Sequence, residues 1–158
     1  MVPLQVDVQI VDRRLLDWGF PRYGSELAAG LDLFACIDEP VLLKPQQAPQ
    51  LISTGIRLNI GSRDLFAVIV PRSGLGHSKG LVLGNTIGII DGDYQGLCMV
   101  SAWNRSSPAD GEDIQIRPGD RIAQLLFLEV HHPLLRVVDE LETKSTRGTK
   151  GFGSTGIT

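Results

Sequence analysis

Apolar and polar positions alternate with a period of two from Leu4 to Val11. Leu4, Val6, Val8 and Ile10 share one side, and Gln5, Asp7 and Gln9 share the other. That alternation marks a half-buried β-strand. Further short apolar runs follow at Val41–Leu43, Leu51–Ile52, Ile56–Ile60, Leu65–Val70, Leu81–Leu83, Ile87–Ile90, Cys98–Trp103, Ile114–Ile116, Ile122–Val130 and Leu134–Val138. A strand in AAGLDLFA, Ala28 to Ala35, sets Leu31 and Leu33 on one face and Asp32 on the other. Turn-forming glycine and proline separate the runs about every ten residues, the spacing of a β-sandwich or barrel. No segment holds a period of about 3.6 over several turns, so at most one short helix is expected, ahead of Gly84. The end of the chain, RGTKGFGSTGIT from Arg147, has four glycines and no strand pattern. It reads as a flexible arm (residues 147–158) attached to a β-domain (residues 1–146).

At 158 residues the chain fits one domain with a core of its own. The net charge of -3 argues against a protein that wraps nucleic acid, which needs a basic stripe. It leaves room for a small anionic ligand held by local cations and backbone N–H groups. Cys36 and Cys98 both lie in apolar runs and neither belongs to a CxxC pair, so buried reduced thiols are expected. The opening MVPLQVDVQIVDRR resembles no secretion signal, and no apolar run is long enough to cross a membrane. A cytoplasmic protein is the expectation.

Several stretches carry candidate chemistry. PRSGLGHSKG, Pro71 to Gly80, places an arginine, a serine and glycines after an apolar strand. Glycines let backbone N–H groups converge on an anion, and arginine adds a fixed fork of donors. It lacks the GK[ST] of a Walker loop. GIIDGDYQG, Gly88 to Gly96, has two aspartates in an Asp-Gly turn and reads as a hairpin. A calcium loop does not fit, because Gln95 and Ala102 stand where carboxylates are wanted. In PGDRIAQLLF, simple alternation directs Arg121 and Gln124 to opposite faces, and Gln124 falls among apolar neighbours where its amide needs partners. No second histidine or cysteine stands at ligand spacing from His77, and the adjacent His131 and His132 point to opposite faces.

The order of these stretches resembles the five motifs of the deoxyuridine triphosphatases. AGLDL, PRSGLG, GNTIGIIDGDYQG, GDRIAQL and RGTKGFGSTG follow one another from Ala29 to Gly156. The resemblance implies a jelly-roll-like β-barrel with a C-terminal arm. It also implies a homotrimer with active sites shared between chains, acting on dUTP with Mg²⁺ to give dUMP and pyrophosphate. By the same resemblance, Asp91 orients and deprotonates the attacking water, and Asp93 supports the turn. Asn85 and the backbone around Gly88 and Ile90 read uracil, Tyr94 packs under the deoxyribose, and Met99 lines that pocket. Arg72, Ser73 and Gly74 hold phosphate, with Ser73 donating near the breaking bond, and Gln124 touches the α-phosphate region. Arg147, Phe152, Gly153 and Ser154 form the clamp and lid of the arm. Asp32 holds magnesium through water.

Three other readings compete, the plainest being a purely structural β-barrel, which would not need five polar motifs in order. A related dCTP deaminase needs a glutamate near the base, and none stands between Gly84 and Gly96. A nucleotide-sensing regulator needs a partner surface, and no large insertion supplies one.

Overall fold

The computed structural model describes residues 4–141 and Gly148. Ten strands appear in it: β1 Asp7–Ile10, β2 Leu31–Phe34, β3 Val41–Leu43, β4 Gln50–Asn59, β5 Leu65–Pro71, β6 Leu81–Leu83, β7 Gly88–Ile90, β8 Leu97–Asn104, β9 Ile114–Ile116 and β10 Arg121–Glu129. Antiparallel pairing builds two four-stranded sheets, β1-β4-β8-β6 and β2-β10-β5-β7, and a two-stranded ribbon, β3-β9. The sheets face each other in a jelly-roll-like sandwich. The expected closed barrel is not formed by the described residues, because β6 and β7 follow each other in sequence yet edge different sheets.

The core is what the alternation specifies. β8 buries Cys98, Val100, Ala102 and Asn104 and half-buries the residues between them. Ile52, Ile56 and Leu58 of β4 meet Leu33, Ile69 and Leu125 of the opposite sheet in one cluster. Each such side chain, fully buried, contributes about 1.5–3 kcal/mol. The two buried polar side chains among the described residues are satisfied. Thr54 Oγ1 donates to the Cys98 carbonyl at 2.7 Å. Asn104 Nδ2 donates to the Leu43 and Glu112 carbonyls at 3.0 and 2.9 Å.

The runs Leu51–Ile52 and Ile56–Ile60 prove to be one strand. Ser53, Thr54 and Gly55 interrupt the apolar pattern because β4 bulges there. Gly55 has φ +69°, and its carbonyl accepts from both Val11 and Asp12 N–H. A Cβ at Gly55 would sit 2.6 Å from the Cys36 sulfur, which ties the glycine to close packing. Both cysteines are free and buried, as expected. Burial foremost, with Asp12 adding to it, pushes the Cys36 thiol up to about 12. Burial alone pushes Cys98 up to about 11.

Three expectations need correction. Two short helices form, a turn of α-helix at Arg14–Asp17 (α1) and a π-helical turn at Leu75–Lys79. Each is too short to print a helical period. The first is fixed by Asp12, which accepts from the Arg14 backbone and side chain. The run Leu134–Val138 forms no strand, and its Leu134 and Val137 are 98% and 97% exposed. Pro133 cannot donate to a ladder. Third, β7 and β8 are not a paired hairpin: β7 pairs with β5, and β8 with β4 and β6.

Candidate active site

Among the described residues, most of the predicted site residues fall into two groups. The first surrounds a cleft of ≈ 490 Å³ lined by Gly30, Asp32, Arg72, Ser73, Gly74, Arg121 and Gln124, among others. Neighbouring strands explain the gathering, since Gln124 of β10 lies across from Asp32 of β2 and Val70 of β5. Gln124 Nε2 donates to the Pro71 carbonyl at 3.0 Å, which answers what its amide bonds to. A Cβ on Gly30 would fall 2.9 Å from Gln124 Oε1, so glycine there gives the amide its room.

Asp32 is the hub of the cleft. Arg72 Nε lies 2.9 Å from Asp32 Oδ1, and Arg121 Nη1 lies 3.1 Å from Asp32 Oδ2. Arg72 Nη1 also donates to the Arg121 carbonyl at 3.3 Å. One carboxylate and two guanidiniums leave the trio with a formal charge of +1, suited to an anion. Ser73 and Gly74 are exposed at the mouth, where the chain enters the π-helical turn. That turn is held from outside by Arg105, whose Nη2 donates to the Gly76 carbonyl at 2.9 Å.

Arg121 escaped the sequence reading because alternation sends it away from Gln124. A β-bulge reverses this. Arg121 pairs with Phe34 and Ala123 with Leu33, so Ile122 is the extra residue. The bulge turns Arg121 onto the face of Gln124 and Asp32. The glycine turn just before it, Gly119 at φ +83°, was the available signal.

The second group follows β7. Asp91 is exposed and borders a groove of ≈ 770 Å³ with Asn59, Ser62, Arg63, Phe66, Ile89 and His132. Its position is set by backbone packing. A Cβ at Gly92 would lie 2.3 Å from the Ser62 carbonyl, and the Gly92 carbonyl accepts from Gly61 N–H at 2.9 Å. Tyr94 closes the turn, its N–H donating to the Asp91 carbonyl and its hydroxyl to the Leu97 carbonyl. Its ring covers Gly96, where a Cβ would come within 2.4 Å of the hydroxyl.

Asn85 is exposed ahead of β7, beside Thr86 at φ 68°. Ile90 is buried and Gly88 packs on Ile69, so both offer backbone rather than side chain. β7 is an edge strand whose side away from β5 meets no strand among the described residues. Such an edge presents free donors and acceptors. Met99 is half-buried on β8 across from Ser53. Arg147, Phe152, Gly153 and Ser154 lie outside the described residues.

The two groups stand at opposite ends of β5. Gly88 pairs with Ile69 and Ile90 with Ala67, which sets Asp91 beside Phe66. Arg72 follows the other end of the strand. At about 3.4 Å per residue, the run from Phe66 to Arg72 spans about 20 Å. Within one chain, Asp91 and Arg72 therefore cannot serve one phosphorus atom.

The described residues hold no cluster of three or more His, Cys, Asp or Glu that could bind a metal ion. Asp32 has one oxygen turned to each arginine. A carboxylate has about four lone-pair sites, so acceptor capacity remains. Two adjacent guanidiniums nonetheless repel a bare cation. The donor set fits a hydrated magnesium only when a polyanion accompanies it.

Comparison with known proteins points to one family. A family model described as dUTPase matches residues 17–156. The deoxyuridine 5'-triphosphate nucleotidohydrolase of Methylibium petroleiphilum is 51% identical over 151 residues, covering 96% of this chain and 97% of that protein. That of Sodalis glossinidius is 49% identical over 154 residues, with the same coverage. Among solved structures, the dUTPase of Staphylococcus bacteriophage 80alpha with dUPNHPP superposes with a TM-score of 0.81 at 27% identity. The match covers 97% of this chain and 99% of the phage protein.

Proposed function

This chain belongs to the dUTPase family and is a dUTP diphosphatase, and we propose that it works at sites shared between copies of a homotrimer. The separation of Asp91 from Arg72 along β5 carries this reading. One copy supplies the cleft of Asp32, Arg72, Ser73, Gly74 and Gln124, and another supplies the β7 turn with Asp91. The outer face of the β2-β10-β5-β7 sheet supports the assembly, since Phe66, Ile89, Leu126 and Leu128 are apolar and only partly covered. The exposed apolar side chains from Leu134 to Leu141 support it too, because large uncovered apolar patches mark interaction surfaces.

The chemistry follows from the two halves. Asp91 accepts a proton from a water molecule, whose oxygen bonds to the α-phosphorus. The bond from that phosphorus to the bridging oxygen breaks, and pyrophosphate leaves with the electron pair. A positioned base of this kind contributes about 10²–10⁴-fold. Arg72 and the Ser73–Gly74 turn bind the phosphates, and Ser73 donates toward the bridging oxygen, where charge develops. Gln124, already fixed on the Pro71 carbonyl, faces the α-phosphate region.

Asn85 and the open edge of β7 hydrogen-bond uracil. Cytosine presents the opposite donor pattern, and a buried mismatch of that kind discriminates by about 10⁴–10⁵. Tyr94 packs under the deoxyribose and leaves no room for a 2′-hydroxyl, and Met99 lines the same pocket. The C-terminal arm, residues 147–158, brings Arg147 to the γ-phosphate, and Phe152, Gly153 and Ser154 over the base and phosphates. Asp32 would hold magnesium through water beside the triphosphate. When bound, it neutralises phosphate charge. Buried, free Cys36 and Cys98 support a reducing compartment such as the cytoplasm.

Pyrophosphate release from dUTP, dCTP, dTTP and UTP in parallel tests this reading. Turnover of dUTP alone is expected. Ammonia from dCTP, or tight dUTP binding without turnover, overturns it.

A further inference from the structure

We infer that Arg121 is a positioning residue of the phosphate cleft, acting on substrate through Arg72. The inference rests on the reading above, in which Arg72 meets the phosphates. The geometry is a closed ring of three contacts. Arg72 Nε bonds Asp32 Oδ1 at 2.9 Å, Arg121 Nη1 bonds Asp32 Oδ2 at 3.1 Å, and Arg72 Nη1 returns to the Arg121 carbonyl at 3.3 Å. Arg121 thus acts on Arg72 in two ways, directly through its own backbone carbonyl and indirectly by holding the carboxylate that Arg72 leans on. Without its side chain, Asp32 is free to rotate, and Arg72 loses the fixed partner that aims its guanidinium.

The exposure of the three side chains says what kind of role this is. Arg121 is 54% exposed, Arg72 31% and Asp32 23%. A pair this open is screened and adds little to folding stability. A bulge that turns a solvated arginine back onto a carboxylate therefore serves orientation more than stability. Bulges beside active sites re-aim side chains in this way. Arg121 spends only one nitrogen on Asp32, so its fork geometry is not used, and a lysine can replace the contact.

The test is binding of a non-hydrolysable dUTP analogue with an imido link between the α and β phosphates, with magnesium, by calorimetry. Five proteins are compared: the parent, Arg121→Gln, Arg121→Lys, Arg72→Gln and the Arg121→Gln/Arg72→Gln double variant. Arg121→Gln is expected to weaken binding about tenfold (about 1.4 kcal/mol), within the range of coupling inside one ion-pair network. The double variant is expected to bind no worse than Arg72→Gln alone, because the effect of Arg121 passes through Arg72. Arg121→Lys is expected to recover most of the loss. Losses that multiply in the double variant overturn the inference and make Arg121 a direct phosphate contact. Unchanged binding in Arg121→Gln, with Arg72→Gln weakened, also overturns it while leaving the site reading intact. Unchanged binding in Arg72→Gln instead overturns the site reading itself.

Discussion

The two ends of β5 are built in contrasting ways. At the Arg72 end, charged and amide side chains do the holding: Asp32, Arg72 and Arg121 close a ring, and Gln124 donates to the Pro71 carbonyl. At the Asp91 end, close packing on glycines sets the turn, with Gly92 wedged on the Ser62 carbonyl and Gly96 under the Tyr94 ring. No salt bridge among the described residues reaches Asp91. A phosphate site needs fixed cations, and an isolated arginine wanders unless a carboxylate aims it. A base needs a carboxylate left unneutralised and fixed in space, and a glycine-packed turn supplies that without a counter-ion. Under the proposed sharing of sites, the first half would serve as a phosphate cleft and the second as the base offered to another copy.

Breaking the second half has the largest expected effect. Asp91→Asn keeps the turn and removes the base, so kcat should fall by about 10²–10⁴-fold. Binding of the imido analogue, measured by calorimetry, should stay close to the parent's. Weakened binding in proportion to the lost rate would mean that Asp91 holds substrate rather than water.

Gly92→Ala sharpens the claim that backbone packing places Asp91. The added methyl meets a carbonyl, not a flexible side chain, so the turn must shift. Overpacking of this kind costs about 1–3 kcal/mol, visible in thermal melting. The activity loss should exceed what the stability loss explains, since a displacement near 1 Å can cost about 10²-fold in rate. An equivalent change at the other end, Gly74→Ala, meets nothing within 4 Å and should leave the melting temperature unchanged.

The smallest expected effect concerns the core, at the buried thiol packed on Gly55. Cys36 is raised from 9.0 to about 12, so it stays protonated in the fold while the unfolded chain ionises. Its contribution to stability is fully present below pH 9 and is lost as pH rises from there toward 12. Chemical denaturation at pH 8 and pH 10 should show lower stability at the higher pH. A Cys36→Ala variant should lose part of that slope. The native protein at pH 8 should resist alkylation at both cysteines, since the reactive thiolate is suppressed.

Much of this was legible in the residues. The period-two runs gave nearly every strand, because each has one buried face. The Asp32 and Gln124 positions stood out as polar residues within apolar alternation. What stayed hidden was what breaks periodicity. The bulge at Ile122 inverted the facing of Arg121, and the bulge at Gly55 split one strand into two apparent runs. Leu134–Val138 read as a strand because its residues are apolar, yet a strand also needs a neighbour, and none stands beside it among the described residues. The turn at Asp91 looked like a hairpin because Asp-Gly signals one. Its two flanking strands instead join different sheets, a tertiary choice no local pattern records.

The central claim is that each site takes its phosphate cleft from one copy and its base from another. Asp91→Asn and Arg72→Gln chains, each weakly active or inactive alone, should be unfolded together, refolded as a mixture and assayed for dUTP hydrolysis. If sites are shared, random assembly restores roughly a quarter of the parent's sites, because a site works when each half comes from the chain that keeps it. Mixed oligomers, verified by native mass spectrometry, that stay as inactive as their components would contradict the account.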